Sequence, residues 1–392
     1  MGNKILKKKI TNQSVLDAAR ERFDIIYSRY DKVVVSFSGG KDSTVCLNLA
    51  IEAATKVGKL PIDVYFFDEE AIQPETVAYV QRVSQLETVN LKWICVPIRH
   101  RNACSRHQPW WFPWNPDDES LWVRPLPECS ITKIPGFTHG MTMPESVNDL
   151  YGPEHGTVAH VRGIRADESL RRYRSVARKT EENWISGPQN GYAYHCSPIY
   201  DWTTVDVWTA PQMFGWDYNK TYDVLSMAGV PPNQQRVCPP FGEEPLRGLW
   251  QYSVCWPELW HAMINRVDGA ATAARYSQTD LYGFGGMKLP DGQTWISFIF
   301  LMLELYPYDL RAKMAASVYR CIDDHQKKTR RPMPTESPDP LTGYSWMFLA
   351  ELVNRGDLKG RRAGNVSSKA SQYRDKHGLS LDDVSNDTGD RY

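Results

Sequence analysis

The stretch KVVVSFSGGKDST, residues 32–44, decides the fold of this chain of 392 residues. Its first half is short, β-branched and nearly all apolar, which is typical of a strand buried on both faces of a parallel sheet. Two adjacent glycines, Gly39 and Gly40, then allow a tight turn and a close backbone approach to a ligand. A helix is predicted directly after them, with Val45 and Leu49 among its apolar positions.

A strand that ends in a glycine turn before a helix is suited to hold phosphate. Consecutive amides at the helix N-terminus point at one place, where the helix dipole also favours negative charge. The hydroxyls of Ser38, Ser43 and Thr44 add hydrogen-bond donors, and Lys41 adds a positive charge. The adjacent glycines and the Asp42 after the lysine differ from the G-x-x-x-x-G-K-[ST] loop. The segment therefore predicts a phosphate cradle of another kind, and a simple kinase or GTPase is disfavoured.

The alternation of strand and helix continues on both sides of this stretch. A first helix is predicted over residues 14–30, and further strands over 62–67, 91–98, 157–161 and 192–199. Strands separated by helices at this spacing predict a parallel sheet with helices on both faces. We therefore expect an α/β fold with a doubly wound, mostly parallel sheet.

A segment rich in tryptophan and proline, residues 100–154, interrupts this alternation. Loops of this length are usually functional or disordered, and the aromatic content argues against disorder. One interpretation is a lid, or a surface on which bases stack. The favoured one is a rigid loop whose tryptophans pack on the core. The residues concerned are Trp110, Trp111, Trp114 and Trp122, with Arg99, Arg101, Arg106 and Arg124 among or near them.

The composition is that of an ordinary globular protein. Hydrophobic residues make up 42% and the formal net charge is zero, so no overall charge attracts nucleic acid or a membrane surface. No apolar run reaches the roughly 18 residues that a membrane-spanning helix needs. The basic N-terminus is not followed by the apolar core of a signal peptide. We therefore expect a cytoplasmic protein without membrane association.

The eight cysteines are scattered, and no C-x-x-C pair occurs. A long chain without a signal peptide predicts reduced thiols, most of them buried as small apolar residues. A metal site built from single cysteines is the less favoured alternative. Its ligands would be Cys129, Cys196, Cys238 and Cys255.

Three motifs, in order along the chain, carry a resemblance to a known family. SFSGGKDS, residues 36–43, resembles the S-x-S-G-G-K-D-S signature of the PP-loop superfamily, the N-type ATP pyrophosphatases. RGIRADES, residues 162–169, resembles the G-x-R-x-x-E-S element of the phosphoadenosine phosphosulfate (PAPS) reductase and ATP sulfurylase small-subunit branch. SPIYDWTTVDVW, residues 197–208, is similar to the P-L-x-x-W-x-x-x-D-V-W element of that branch. The resemblance extends over about residues 14–223.

The resemblance implies a five-stranded nucleotide-binding sheet whose ligand is ATP or PAPS. On this basis we expect Lys41, Asp42 and Arg165 to be catalytic. An arginine fork suits phosphate or sulfate oxygens, although Arg165 could instead form a salt bridge with Asp167 or Glu168. The expected nucleotide-binding residues are Ser36, Ser38, Gly39, Gly40, Ser43, Thr44, Asp68, Glu69, Arg162, Gly163 and Glu168.

Asp68 and Glu69 follow the second strand, and ligands of open α/β sheets bind at the carboxyl ends of strands. Their oxygens suit Mg²⁺, which we expect as a cofactor, or they meet the adenosine. An equally weighted alternative is an acid cluster that satisfies a helix dipole.

The sequence departs from the reductases of this family. Their nucleophilic thiol lies in an E-C-G-x-x-H-type tail, and no cysteine follows Cys321 here. The iron–sulfur variant needs a C-C and a C-x-x-C pair, so no iron–sulfur cluster is expected. The favoured function is action at the α-phosphate side of the nucleotide, by adenylylation with release of pyrophosphate. Alternatives are PAPS reduction by Cys238, Cys255 or a partner's thiol, and a nucleotide-sensing regulator with a DNA-associated partner.

The C-terminal part is expected to be a mainly helical extension, residues 229–392, after a nucleotide-binding domain over residues 1–228. Residues 236–248 and 257–270 are similar to PAPS-reductase-like proteins with a DUF3440-type extension, including the immunoglobulin-binding regulator A group. This resemblance implies a ParB-like protein partner. The basic run at 359–362 could touch nucleic acid, although most such runs are solvated. Candidates for the far wall of the substrate site, or else for a polar turn, are Glu243, Glu244 and Arg247.

Overall fold

The computed structural model describes residues 12–177, 182–232, 234–242, 245–276, 289, 292–306, 308–354, 356–357 and 366–385. The chain divides into two compact units. The first comprises Met1–Arg101 with Trp110–Ala270, and the second comprises Asn102–Pro109 with Ala271–Tyr392. Residues 229–270, which the sequence pattern assigns to the C-terminal extension, therefore cluster with the first unit.

The first unit is built on a six-stranded sheet with the order β3-β2-β1-β6-β8-β7. Five strands are parallel, and β7 is antiparallel to its neighbour at one edge. A separate two-stranded ribbon joins β4 and β5. The strands are β1 (Lys32–Ser36), β2 (Ile62–Phe67), β3 (Val89–Ile94), β4 (His100–Arg101), β5 (Trp110–Trp111), β6 (Val158–Val161), β7 (Ile185–Gln189) and β8 (Ala193–Cys196).

The predicted α/β fold with a mostly parallel sheet is confirmed, and the edge strand β7 makes the sheet six-stranded rather than five-stranded. Two predicted strands, 91–98 and 192–199, extend too far towards the C-terminus. Each contains a proline, Pro97 or Pro198, after the observed end of the strand. Proline lacks the N–H that a sheet ladder requires, so the ladder ends before it.

Helices cover both faces of the sheet. One face, with Val35 of β1, packs against α1, α2, α3 and α6, while the other, with Val34, packs against α4. The helices of this unit are α1 (Val15–Arg29), α2 (Lys41–Lys56), α3 (Pro74–Ser84), α4 (Met143–Leu150), α5 (Leu170–Ala177), α6 (Thr204–Phe214), α7 (Thr221–Met227), α8 (Leu249–Cys255) and α9 (Pro257–Arg266), with α10 (Ala270–Tyr276) beginning at its boundary.

The tryptophan-rich segment packs on the carboxyl end of β2. Trp111 and Trp114 are buried, and the Trp114 indole nitrogen donates to the Asp68 carbonyl oxygen at 2.9 Å. The favoured interpretation, a rigid loop with its tryptophans on the core, is therefore confirmed for these two residues. Burial of a tryptophan usually requires such a partner for its N–H group.

A buried charge network fixes this segment to helix α9. The Glu70 carboxylate accepts the Trp114 amide at 2.7 Å and the Arg266 Nε at 2.9 Å. Arg266 also donates to the Phe112 carbonyl oxygen at 2.6 Å and reaches Asp118 at 3.3 Å. Because both partners of the central ion pair are almost completely buried, each compensates a charge that would be costly alone.

The second unit is helical and has its own apolar core, which includes Trp295, Met314 and Leu349. Its helices after α10 are α11 (Trp295–Glu304), α12 (Tyr308–Lys328), α13 (Trp346–Asn354), α14 (Val366–His377) and α15 (Leu381–Ser385). The predicted helical character of the C-terminal extension is confirmed. Across the described ranges, no helix combines the length and the apolarity needed to cross a membrane.

Replacing Glu70 by glutamine should lower the free energy of unfolding by about 3–5 kcal/mol, because Arg266 would stay buried without its counter-charge. Urea denaturation of the purified chain measures the loss. As a control, Lys56→Gln breaks an exposed pair with Asp24 (3.3 Å, both side chains about half exposed) and should cost about 0–1 kcal/mol. Equal effects of the two substitutions would contradict the proposed importance of the buried network.

Candidate functional site

The segment after β1 forms the predicted loop-to-helix turn. Gly39 has a φ of +69°, which favours glycine, and Gly40 is the N-cap of α2. A Cβ atom on Gly39 would lie 3.1 Å from a methyl group of Thr76. The amides of Asp42 and Ser43 lie in the first turn of α2, where N–H groups lack acceptors within the helix. The turn therefore presents amide donors at the carboxyl edge of the sheet.

The hydroxyl groups of the loop hold its shape. The Ser43 hydroxyl donates to the Gly40 carbonyl oxygen at 2.9 Å and accepts the Ser38 amide at 3.2 Å. The Thr44 hydroxyl donates to the same Gly40 oxygen at 3.0 Å and lies 3.0 Å from the hydroxyl of Tyr79. Both side chains are buried. Ser38 is exposed and is thus the hydroxyl of the loop that a ligand reaches most easily.

The segment 217–222, whose last two residues are the first of α7, contacts the loop through two side chains. The Asn219 side-chain amide donates to the Gly39 carbonyl oxygen at 2.9 Å. The Tyr222 hydroxyl accepts the Lys41 amide at 3.0 Å, and the Lys41 ammonium lies 5.8 Å from the centre of the Tyr222 ring. The sequence motif extends to these residues, but the motif alone does not show that they contact the loop.

Lys41, Asp42 and Arg165, the three predicted catalytic residues, come together. The Lys41 ammonium is 3.3 Å from the Asp42 carboxylate, which also forms a short ion pair with the Arg165 guanidinium. Arg165 is only 1% exposed and also donates to the Trp202 carbonyl oxygen at 3.4 Å. The geometry thus shows Arg165 bound to Asp42, with Asp167 at the 4.0 Å limit of an ion pair.

Gly163 lies against the backbone of α2. A Cβ atom at this position would be 2.8 Å from the Asp42 carbonyl carbon and 2.9 Å from the Ser43 amide nitrogen. The glycine therefore lets the loop after β6 approach the first turn of α2. Its role in the structure is close packing of two backbones at the phosphate loop.

Arg162 differs from Arg165 in its charge environment. Its side chain is half-buried, and its Nε is buried without a hydrogen-bond partner among the described residues. Burial lowers the pKa of Arg162, and the groups that oppose this are Tyr65 and Cys196, neither of which is a carboxylate. Val161, the preceding residue, pairs with Val35 of β1. Arg162 therefore has no carboxylate counter-charge within the described ranges, and it lies at the end of the strand that pairs with β1, after which the loop 36–44 continues.

Asp68 is fully engaged with the protein. It is 1% exposed, accepts the Trp93 indole N–H at 2.7 Å and the Glu70 amide at 2.9 Å, and pairs with Arg124. The carboxylate is therefore held by side chains of its own surroundings, which leaves little capacity for a cation or a ribose.

Glu69 is half-buried and lies 3.3 Å from the imidazole of His100. Burial, and secondly the adjacent Asp68 carboxylate, raise the pKa of Glu69 to about 8. This carboxyl group is therefore largely protonated at neutral pH.

Some of the remaining predicted site residues are described by the structure, and others lie outside the described residues. Ser36 shares a hydrogen bond with the buried Tyr65, and Glu168 pairs with Arg172 four residues later. Glu243 and Glu244 lie outside the described residues, as does the basic run at 359–362. Arg247 lies in the 3₁₀ turn Pro245–Gly248.

The segment from residue 234 to α8 lies against the phosphate loop. A methyl group of Val237 would be 3.4 Å from a Cβ atom on Gly40. Burial raises the pKa of the Tyr222 hydroxyl, and Cys238 is close enough to add to that effect. The Tyr252 hydroxyl donates to the Cys238 carbonyl oxygen at 3.2 Å and accepts from the Gln73 side chain at 2.5 Å. This segment therefore forms a wall between the loop and the end of β2.

No three or more histidine, cysteine or acidic side chains are grouped to hold a metal ion within the described part of the chain. The eight cysteines are free thiols, of which five are buried: Cys46, Cys95, Cys104, Cys196 and Cys321. Cys238 and Cys255 are partly exposed, and Cys129 is exposed.

Comparison with known proteins agrees with this geometry. The model of the phosphoadenosine phosphosulfate reductase domain matches residues 32–225, from the first residue of β1 into α7. The Uncharacterized protein YbdN of Escherichia coli strain K12 is 35% identical over 378 residues, which cover 92% of each chain. The chain belongs to the phosphoadenosine phosphosulfate reductase domain family.

The PAPS reductase domain is followed by a second matched region. The model of a domain of unknown function, DUF3440, matches residues 229–329, so the predicted family and its C-terminal extension are both confirmed. Because α8 and α9 lie within this match, the wall formed by Val237, Cys238 and Tyr252 belongs to the DUF3440 region.

Solved structures similar to the chain include two enzymes from yeasts. The FMN adenylyltransferase of Candida glabrata, in complex with FAD and inorganic pyrophosphate, is 13% identical with a TM-score of 0.34, covering 55% of this chain and 65% of that enzyme. The PAPS reductase of Candida auris, a phosphate complex, is 12% identical with a TM-score of 0.32, covering 55% of this chain and 93% of that enzyme.

Substituting Gly163 by alanine should destabilise the PAPS reductase domain by about 1–3 kcal/mol, because the new methyl group would overlap the backbone of α2. Urea denaturation of the variant provides the measurement. Gly248→Ala is the matched control, since a Cβ atom there meets only the flexible end of Gln251 at 3.2 Å and neither glycine has a positive φ. A Gly163 variant as stable as its control would show that the close approach is unimportant.

Proposed function

We propose that this protein binds ATP with its phosphates on the loop 36–44 and acts at the α-phosphate, releasing pyrophosphate. The observation that carries the proposal is Arg162, a desolvated cation that has no carboxylate partner among the described residues. It directly follows Val161, which pairs with Val35 of β1, the strand that leads into the loop. A buried cation of this kind is costly unless a ligand supplies the negative charge. Phosphate oxygens do so, and the guanidinium fork binds them in pairs.

The proposed chemistry relies on positioning and on stabilisation of charge. First-turn amides of α2, the Lys41 ammonium and the Arg162 guanidinium would surround the leaving pyrophosphate and stabilise its growing charge. An acceptor held in line with the bond between the α-phosphorus and the bridging oxygen would then be adenylylated. Mg²⁺ would enter as part of the MgATP substrate, since the described residues provide no cluster of metal ligands.

The roles of two arginines are revised in this proposal. Arg165 would be a positioning residue, because it is buried and acts on the loop through Asp42. Arg162 would be the arginine that contacts the substrate.

The first test incubates the purified chain with Mg²⁺ and either ATP or PAPS and separates the products by chromatography. We expect AMP and pyrophosphate from ATP, and a decrease of at least about 100-fold for Lys41→Ala, which removes a cation from the site of developing charge. Wild-type turnover in the Lys41 variant would refute the assignment. Tight ATP binding without products would favour the nucleotide-sensing regulator, for which the ParB-like partner and nucleic-acid contacts remain predictions from the sequence.

Substitution of Arg162 should affect ATP binding, whereas substitution of Arg165 should affect the stability of the fold. Arg162→Gln should weaken ATP binding by about 10-fold or more, the value of a lost charge-assisted hydrogen bond, without loss of folding stability. Arg165→Gln should lower the free energy of unfolding by about 3–5 kcal/mol, because it leaves Asp42 in a buried ion pair without its main partner. Calorimetric titration with the methylene analogue of ATP measures the effect on binding. Urea denaturation measures the effect on the free energy of unfolding. The reverse pattern would restore Arg165 as the substrate-binding residue.

The position of Cys238 favours PAPS reduction as a second candidate. Its thiolate would attack the sulfur of PAPS, the sulfur–oxygen bond to the phosphate would break, and adenosine bisphosphate would leave. A dithiol protein of the thioredoxin class would then release sulfite and reduce the cysteine. Support for this candidate is that Cys238 lies beside Tyr222, which contacts the phosphate loop.

Sulfite release from PAPS in the presence of thioredoxin tests this candidate. Cys238→Ser should abolish the release, whereas Cys129→Ser, which changes an exposed cysteine, should preserve it. Absence of sulfite from the wild-type protein, or its release by the Cys238 variant, would eliminate the candidate.

A further inference from the structure

Three acidic residues follow β2, and the two outer ones are neutralised by arginines. Asp68 pairs with Arg124, and Glu70 pairs with Arg266. The middle residue, Glu69, forms no ion pair with a lysine or arginine of the described residues. Its partner is the His100 imidazole at 3.3 Å. The arrangement thus separates two structural carboxylates from one whose protonation is able to change.

The Glu69–His100 pair is partly exposed and packs against neighbouring aromatic rings. Both side chains are about one-fifth exposed, at 20% and 21%. His100 is paired with Trp111 across the ribbon of β4 and β5, and the two rings are 5.7 Å apart. Trp111 is buried against Phe241 of the DUF3440 region at 5.1 Å. The imidazole therefore packs against Trp111, its Nε2 atom, which faces Glu69, is buried, and the exposed part of the pair lies on the remaining atoms of the two side chains.

The same region connects this pair with the phosphate loop. The loop follows β1 and Glu69 follows β2, and these strands are neighbours in the sheet. Burial raises the pKa of both Tyr252 and Tyr222. Glu69 and Cys238 lie near enough to Tyr252, and Asp42 and Cys238 near enough to Tyr222, to add to these shifts. The wall formed by Val237, Cys238 and Tyr252 therefore connects Tyr222, which contacts Lys41, with the surroundings of Glu69. A nucleotide on the loop and an acceptor beside Glu69 would share one site.

We propose that Glu69 and His100 form an acid–base pair that takes the proton from the hydroxyl or amine of the acceptor. This inference rests on the proposed function and specifies its acceptor as an O–H or N–H nucleophile. The acceptor atom bonds to the α-phosphorus, the bond to the bridging oxygen breaks, and pyrophosphate leaves with that electron pair. The proton of the acceptor passes to the Glu69–His100 pair.

The protonation of the pair suits this task. With a raised pKa of about 8, Glu69 is protonated at low pH, and its basic form increases as the pH rises through that value. The titratable groups around it are Asp68 on its own turn, His100 on β4 and Tyr252 on α8. Close acid–base partners titrate as a unit, so the pair should hold one proton near neutral pH. A base that titrates near the working pH is effective in general base catalysis.

The first experiment follows the His100 imidazole by NMR over pH 5–10 in the full chain, with His100→Asn to identify its signal. We expect a transition near pH 8 that disappears in Glu69→Gln. Saturating Mg²⁺ and the α,β-methylene analogue of ATP should move the transition to higher pH, because phosphate charge disfavours ionisation of the carboxyl group. Lys41→Ala should suppress that shift at the same analogue concentration.

The outcomes separate the two proposals. Analogue binding with an unchanged imidazole transition overturns the acid–base pair and leaves the nucleotide site intact. Failure of the wild-type chain to bind the analogue overturns the proposed function, and the pair as its base with it.

A kinetic measurement completes the test. With water as acceptor, Glu69→Gln should slow formation of AMP from ATP by about 100-fold or more while the affinity for the analogue stays unchanged. Glu52→Gln, a change in a partly buried pair with Arg20, is the matched control and should keep the wild-type rate. AMP formation by the Glu69 variant within a few-fold of wild type would refute the inference.

Discussion

The buried ion pair between Asp42 and Arg165 is the interaction on which the site depends. It joins the first turn of the helix after β1 to the loop after β6, two segments 123 positions apart in the sequence. Gly163 makes this junction possible, since any side chain there would meet the backbone of the helix. With the junction formed, the first turn of the helix is fixed at the carboxyl edge of the sheet, and Arg162 lies at the end of β6, the strand that pairs with β1.

The DUF3440 region is part of this site in the first unit. Helix α9 ends in Arg266, which neutralises Glu70, and α8 supplies Tyr252 beside Glu69. The boundary between the family models near residue 228 therefore differs from the boundary between the compact units near residue 270. The physical reason is that a buried glutamate at the end of β2 needs its counter-charge, and the chain supplies it from beyond the PAPS reductase domain.

The charge distribution explains why neighbouring residues of the same type differ in function. Asp68, Glu69 and Glu70 are adjacent acids, yet two are held by arginines and one by an imidazole. Arg162 and Arg165 are three residues apart, yet one has a carboxylate and the other has none among the described residues. In each case one group is held by a side chain of permanent opposite charge, and the other has only titratable or neutral neighbours among the described residues.

The family, the α/β fold and the turn from β1 into its helix could be predicted from the sequence alone, because these depend on local patterns: a buried strand, two glycines, and a helix start. The sequence also predicted that Lys41, Asp42 and Arg165 come together. The tertiary structure was needed to show that Asp42 binds Arg165 and that the Asp68 carboxylate is bound by Arg124 and Trp93. It was also needed to show that His100 reaches Glu69. Ion pairing and desolvation depend on groups far apart in the chain, so residue type and spacing do not specify them.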